Sequence, residues 1–279
     1  MSRLLNVNFS RMWKNKLFWG EILCMFALGI FFVVTVYQVG QQTGEQMDLD
    51  SSLQGYPMLI GFLCALFCGV FGGTEYSDGT IRNKLIAGHT RWSVYLSSLI
   101  VHAVEVFLCL VSFLLADLAL GLPLFGGFMG DGRMIVIMLA GSVVTMLAYS
   151  AIFTLISMLC QSKTMGICFC LILYCVLFFT AMNIAQRLEE PEVLEGYTYM
   201  TDAGVSEHED SQPNPRYLTG TKREVYEFFN DFLPCNQMYQ YTNTMMDVSD
   251  VGRLMLYSLG IVIVVTAAGI FVFRKKDVR

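Results

Sequence analysis

The chain has 279 residues and a formal net charge of −5; 55 % of its residues are hydrophobic and only 15 % charged. A soluble domain carries roughly 25 % charged residues and few long apolar runs, so the composition excludes an ordinary water-soluble enzyme and points to an integral membrane protein. Apolar runs recur along the chain, near the roughly 20 residues needed to cross a hydrocarbon core of about 30 Å. They are too long for barrel strands of roughly 10 residues, and the expected fold is an all-α membrane protein with six spanning helices.

The first segment, residues 1–16, reads "MSRLLNVNFSRMWKNK". Leu4, Leu5, Phe9, Met12 and Trp13 recur at near-helical spacing opposite Arg3, Arg11 and Lys14. That pattern suits a helix lying in the membrane interface; a frayed basic tail is the plainer alternative. The spans are then expected at Leu17–Val39, Tyr56–Gly73, Ser93–Leu118, Met134–Cys160, Thr164–Ala185 and Gly252–Phe273. The apolar region of the first is too long for a signal peptide's core of about 7–15 residues and lacks an A-x-A site, so it reads as an uncleaved span. The second is short and glycine-rich, with turn signals at both ends. "GLPLFGGFMGDGR" is a glycine-rich turn between the third and fourth spans.

Residues 186–253 form the one long polar insertion. Its first half, through "EHEDSQPNPR", is acidic, proline-broken and expected to be irregular. In its second half Val225, Phe228, Phe229 and Phe232 share a helical face after Thr221, an N-cap candidate with Glu224 three residues on. Pro234 should stop that helix, giving a small cap packed against the membrane surface. No internal repeat is visible.

Orientation follows from lysine and arginine, which are retained on the cytoplasmic side. Arg3, Arg11, Lys14 and Lys16 precede the first span, and Arg82, Lys84 and Arg91 follow the second. Lys163 lies in the turn "CQSKT", and the tail "RKKDVR" follows the last span. Every second loop is therefore basic, which predicts cytoplasmic termini and an extracellular, acidic 186–253 insertion.

Catalytic signatures are missing. The sequence contains no phosphate-cradling G-x-x-x-x-G-K-[ST] loop, no H-E-x-x-H pair, no G-x-S-x-G elbow and no C-x-x-C. The nine cysteines lie mostly within spans, where they behave as small apolar residues; Cys235 alone falls in the insertion. His208 in "SEHED" is flanked by acids, but a solvated acidic loop is the better reading than a cation site. No basic-aromatic surface suggests a nucleic-acid partner, and no metal or cofactor is expected in this chain.

Few ionisable residues fall within the spans. Glu21 and Asp117 lie near span ends, within expected reach of water. His102 and Glu105 share a helical face in the middle of the third span. An acid there costs about 2.5–3.5 kcal/mol on insertion, which the many leucines and valines of that span offset. Glu105 should therefore face protein or a water-filled cavity. The pair reads as part of a translocation path or, more plainly, as an interhelical hydrogen bond that locks packing.

Residues 74–91 are the densest polar stretch between two spans: "TEYSDGTIRNKLIAGHTR". Ser77 or Asp78 can cap a short helix, Ile81, Leu85 and Ile86 form its apolar stripe, Arg82 and Lys84 point elsewhere, and Gly88 is placed to end it. Nothing else in the sequence obviously covers that stripe, so a partner protein or the inner leaflet is expected to.

These residues resemble the first cytoplasmic loop of bacterial type-2 ABC exporter permeases. The likeness rests on Phe71, the run "TEYSDGTIRNKL", Gly88, Arg91 and "VYLSS". It extends to the basic N-terminal helix, the six spans, the "QSK" turn, "FLPCNQ" in the insertion and the closing "FVFRKKD". The acidic insertion is longer than in many relatives. The resemblance implies a bacterial plasma-membrane subunit, 1–279 as one permease domain, paired with an identical or sister permease and driven by a separate ATPase subunit that binds ATP and Mg. It implies that Glu75, Tyr76, Gly79 and Thr80 shape the entry to a coupling helix. Ile81, Leu85 and Ile86 would fill a groove of the ATPase, and Arg82 and Arg91 would pair with its acids or with headgroups. An amphipathic cargo, such as a peptide antibiotic, suits the apolar spans. An ATP-independent secondary transporter using His102 and Glu105, or a membrane sensor or anchor, is the alternative.

Overall fold

The structure, a computed structural model, describes residues 1–45, 47–196, 198–200, 206–208, 210–242 and 247–276. Helix α1 (Ser2–Lys14) stops at Asn15, whose backbone is extended and whose side chain accepts from the Leu17 amide to start α2 (Lys16–Thr43). One residue thus closes one helix and opens the next. Asp48 caps α3 (Leu49–Leu53), and α4 (Pro57–Ser77) carries its proline at the first position, where the missing N–H costs nothing. The polar loop forms α5 (Thr80–Ile86), and α6 (Arg91–Phe125) follows. Asp131 caps α7 (Gly132–Leu159) and Ser162 caps α8 (Lys163–Glu189).

Each expected span is a helix, and among the described residues six helices are long and apolar enough to cross a membrane: α2, α4, α6, α7, α8 and the closing α11 (Val248–Lys275). Buried residues make up 67 % of the apolar stretch of α4 but 17–22 % of those of α2, α8 and α11. Helix α4 is therefore the inner post, which explains why the shortest span is so rich in glycine. A Cβ on Gly69 would fall 2.8 Å from the Ile167 Cα, and one on Gly73 would fall 2.6 Å from the Lys163 Cα. Backbones of α4 and α8 approach through that small-x-x-x-small step, the geometry membrane helices use where lipid gives no hydrophobic drive. Helix α2 lies along α6 through Gly29, whose Cβ would meet the Phe113 carbonyl.

Among the described residues, the acidic half of the insertion holds two strand pairs where an irregular chain is expected. Strands β1 (Val193–Leu194) and β4 (Gln212–Pro213) pair antiparallel and enclose a second antiparallel pair, β2 (Thr198–Met200) with β3 (Ser206–His208). Backbone pairing supplies order that a polar, proline-containing composition conceals. The His208 side chain lies outside the described residues. Helix α9 (Gly220–Phe232) is capped by Thr219, not Thr221, and with no side-chain capping bond, so the expected capping box does not form. Leu233 is extended, as a residue before proline should be, and Pro234 opens α10 (Pro234–Gln240) directly.

Helix α10 ties the insertion to the spans. Gln237 Oε1 accepts from Thr145 of α7 at 2.9 Å and from Ser258 of α11 at 2.5 Å, while its amide donates to the Asp231 and Leu254 carbonyls. Asn236 donates to the Ala181 carbonyl of α8. Tyr149 donates to Cys235 at 3.0 Å, and all nine cysteines are free. The apolar face of α9 is only partly covered: Phe228 and Phe232 meet Tyr257 edge-on, at 6.0 and 6.1 Å between centroids.

Glycine substitutions separate packing from propensity. Overfilling a tight contact costs about 1–3 kcal/mol, so Gly73→Ala should lower the melting temperature of the purified protein. Gly20→Ala, where the added methyl meets nothing within 4 Å, should leave it unchanged or raise it. Fluorescence-detected thermal unfolding reads both.

Candidate functional site

The segments richest in lysine and arginine meet at one end of the bundle, around α5. Helix α4 ends at Ser77, and Gly79, with φ of 65°, takes the left-handed turn that reverses the chain; a side chain there would be strained. The start of α5 has no side-chain cap: Ser77 donates to the Gly73 carbonyl and Thr80 to the Glu75 carbonyl. Gly88, with φ of 87°, closes the helix as its position suggested, its amide bonding the Leu85 carbonyl.

The apolar stripe of α5 is not left open. Ile81 is fully buried among Leu4, Val94, Tyr95, Met158 and Phe273, with Leu85 and Tyr76 packed against the same cluster. Helices α1, α6, α7 and α11 supply that cover from positions remote in sequence. Ile86 remains 75 % exposed, and Arg82 and Asn83 are exposed beside it. The available face of α5 is therefore Arg82–Asn83–Ile86, not the whole stripe.

Beneath this face lies one carboxylate with two cations. Glu75 is fully buried, and its Oε1 pairs with Arg11 of α1 and with Lys84 of α5, the latter at 2.5 Å. Lys84 also donates to Asn8 Oδ1 at 2.8 Å, and Asn8 donates to Ser97 of α6 at 3.1 Å. The Arg11 guanidinium sits 4.9 Å from the Phe71 ring centroid. Four helices are thus joined through one buried anion. Burial pushes the Lys84 ammonium below its ordinary value, and the Glu75 charge opposes that. The helical spacing predicts Lys84 on a different face from the stripe, but it lies inside with it. Asn8 is the one polar residue in the buried Leu4–Asn8–Met12 row of α1, and that interruption of an apolar row is the only sequence signal of its role.

Arg91 also turns inward. It donates to the Phe273 and Lys276 carbonyls, satisfying the end of α11 in the manner of a basic C-terminal cap. Lys276 donates to Tyr76 Oη at 3.0 Å and to the Met158 and Leu159 carbonyls at 2.9 Å, with its ammonium 4.2 Å from the Tyr76 ring centroid. Tyr76 itself donates to the Met158 carbonyl at 2.6 Å. Burial pulls the Lys276 pKa down to about 8.

His102 and Glu105 share a helix face but have separate partners. His102 Nδ1 is 2.7 Å from Thr154 Oγ1, and the ring stands edge-on to Phe67 and Phe71. Glu105 accepts from the Cys109 thiol at 3.3 Å. Its carboxyl faces that of Glu21 on α2, close enough for the two acids to interact directly. Glu21 and Asp117, expected to reach water, are both buried. Helix α6 covers Glu21 through the neighbourhood of Glu105, and α2 and α3 cover Asp117 through Gly29 and Ser52.

Six membrane-length helices, with a short helical loop clamped at the basic end, define a multi-pass permease architecture. Residues 4–278 match the family described as ABC-2 family transporter protein, and the chain belongs to that family. It is a permease subunit of the bacterial plasma membrane. Comparison with curated proteins and with solved structures returned no match.

Breaking a buried ion pair from one side costs about 3–5 kcal/mol, so Glu75→Ala should destabilise the protein strongly. Glu75→Leu combined with Lys84→Met should recover most of the loss, as measured by thermal unfolding in detergent. Lys276 gives a pH signature. Its folded pKa, about 8, lies below the ordinary lysine value of 10.5, so the folded protein holds fewer protons between those values, and docking of the α11 end should strengthen as pH rises through that window. An NMR titration of labelled lysine Cε should find one resonance, lost in Lys276→Arg, that titrates near pH 8.

Proposed function

We propose that the chain is the membrane-spanning half of an ATP-driven exporter. It works as a dimer with an identical or sister permease and is moved by a separate ATPase subunit that binds ATP and Mg. Family membership supports a permease, and such permeases are typically not themselves catalysts. The observation that carries the docking assignment is the clamped α5 helix with its exposed Arg82–Asn83–Ile86 face. A rigid helix held by a buried ion network passes on a push; a loosely tethered one absorbs it.

In this reading both termini and α5 face the cytoplasm, where basic loops are retained, and the 186–253 insertion is extracellular. Ile86 enters the ATPase groove, and Arg82 pairs with an acid at its rim. Glu75, Tyr76, Gly79, Thr80, Ile81, Leu85 and Arg91 act from behind by fixing the angle of α5. The cargo is apolar or amphipathic, with a peptide antibiotic as one candidate.

Co-purification tests this. Wild-type protein extracted gently from its own membrane should bring an ATPase subunit in equal amount. Arg82→Glu with Ile86→Asp should leave the permease in the membrane at wild-type level and lose the ATPase, because both residues are exposed and the fold does not depend on them. Undiminished capture by that variant would sink the docking face. Recovery of the wild-type chain alone would return attention to Glu21, His102 and Glu105 as an ATP-independent path.

A further inference from the structure

At the end of the bundle opposite α5, helices α8, α9 and α10 line two adjoining half-open clefts. The first, of about 350 Å³, has an apolar floor of Phe178, Ala181 and Met182, with Cys235 behind them. The second, of about 400 Å³, adds Leu188, Asn230, Gln240 and Thr242. Ala185, Glu189 and Tyr239 line both and so form the wall between them. In that wall Tyr239 Oη donates to Glu189 Oε1 at 3.4 Å, a long bond between two exposed side chains. Glu189 is the one charged residue in either lining, and no lysine, arginine or histidine is among them.

A largely apolar cleft, a cleft of mixed polarity and one carboxylate shared by both favour a ligand with an apolar body and a single positive charge. We infer that this double cavity binds an amphipathic organic cation, with its apolar body over Phe178 and Met182 and its cationic group at Glu189. The combined volume is within the roughly 300–1,000 Å³ of small-molecule sites. The exposed Tyr239 ring beside the carboxylate adds a cation–π face. An anionic phospholipid is a poor occupant, because its phosphate would meet Glu189 with no cation of its own; the phosphatidylcholine of the discs sets the competing background. The contrast is the larger cavity along α7 and α8, about 620 Å³, whose lining holds no charged residue and so carries no preference of sign. The Glu189 carboxylate, followed by burial, already raises the Tyr239 phenol above its ordinary pKa, as expected if the charge is felt at the wall. This site stands whether or not an ATPase drives the protein.

The test uses the full chain in phosphatidylcholine nanodiscs, with empty discs as the blank, and two fluorescent probes of equal length. One is a dansyl-labelled undecyl trimethylammonium; the other is the dansyl-labelled undecanoate. The cation should bind saturably and the anion only as it does to empty discs. Glu189→Gln should weaken the cation by roughly fivefold, the scale of one partly exposed charge pair, without moving the melting temperature. Ala185→Phe, which fills the shared wall, should abolish saturation. Equal binding of both probes, no saturable binding, or cation binding untouched by either variant would each overturn the assignment.

Discussion

One buried anion organises the basic end of this protein. Glu75 leaves α4 at its last turn with no route to water, and it is tolerated because two cations from different helices reach it. An isolated carboxylate in that position would cost several kcal/mol. Paired, it fixes where α1 crosses, how α5 turns, and through Asn8 where α6 begins. Arg11, 27 % exposed, keeps part of its hydration, so the excess positive charge is not trapped inside. The Arg82–Asn83–Ile86 face inherits its orientation from this junction.

The spans were legible because membrane insertion imposes a coarse rule. Long apolar runs leave few alternatives to helix when every backbone group must be satisfied within the segment, and basic residues mark alternate loops. Gly88 was legible for a similar reason, since the end of a short helix needs a left-handed residue. What periodicity does not carry is the identity of the cover. Ile81, Leu85 and Ile86 look equivalent in sequence, yet residues from α1 and α11 bury the first and leave the last exposed. Arg91 and Lys276, likewise, are ordinary basic residues until the end of α11 places unsatisfied carbonyls beside them.

The polar residues within the bundle followed the same division. Glu21 and Asp117 sit near span ends by count, but neighbouring helices extend past them and shut out solvent. His102 and Glu105 are one turn apart, and that spacing suggests partnership. The edge-on rings of Phe67 and Phe71 and the Thr154 hydroxyl hold the imidazole elsewhere. In the insertion, Val225 and its neighbours were readable as a helix, whereas its first residue and the nested strands depended on backbone pairing that no side-chain pattern announces.

Helix α11 is fastened at both ends to elements synthesised before it: to Thr145 through Gln237 at one end, and to Arg91, Tyr76 and Met158 at the other. That has a consequence for biogenesis. While the ribosome is still extending the chain toward α11, Ile81 and Tyr95 lack the Phe273 side of their cluster, and Arg91 has no carbonyls to cap. The basic end closes only after this helix has entered the bilayer. A chaperone or protease surveying the nascent protein would therefore find the completed α5 platform to be a late epitope, and its absence a mark of an unfinished bundle.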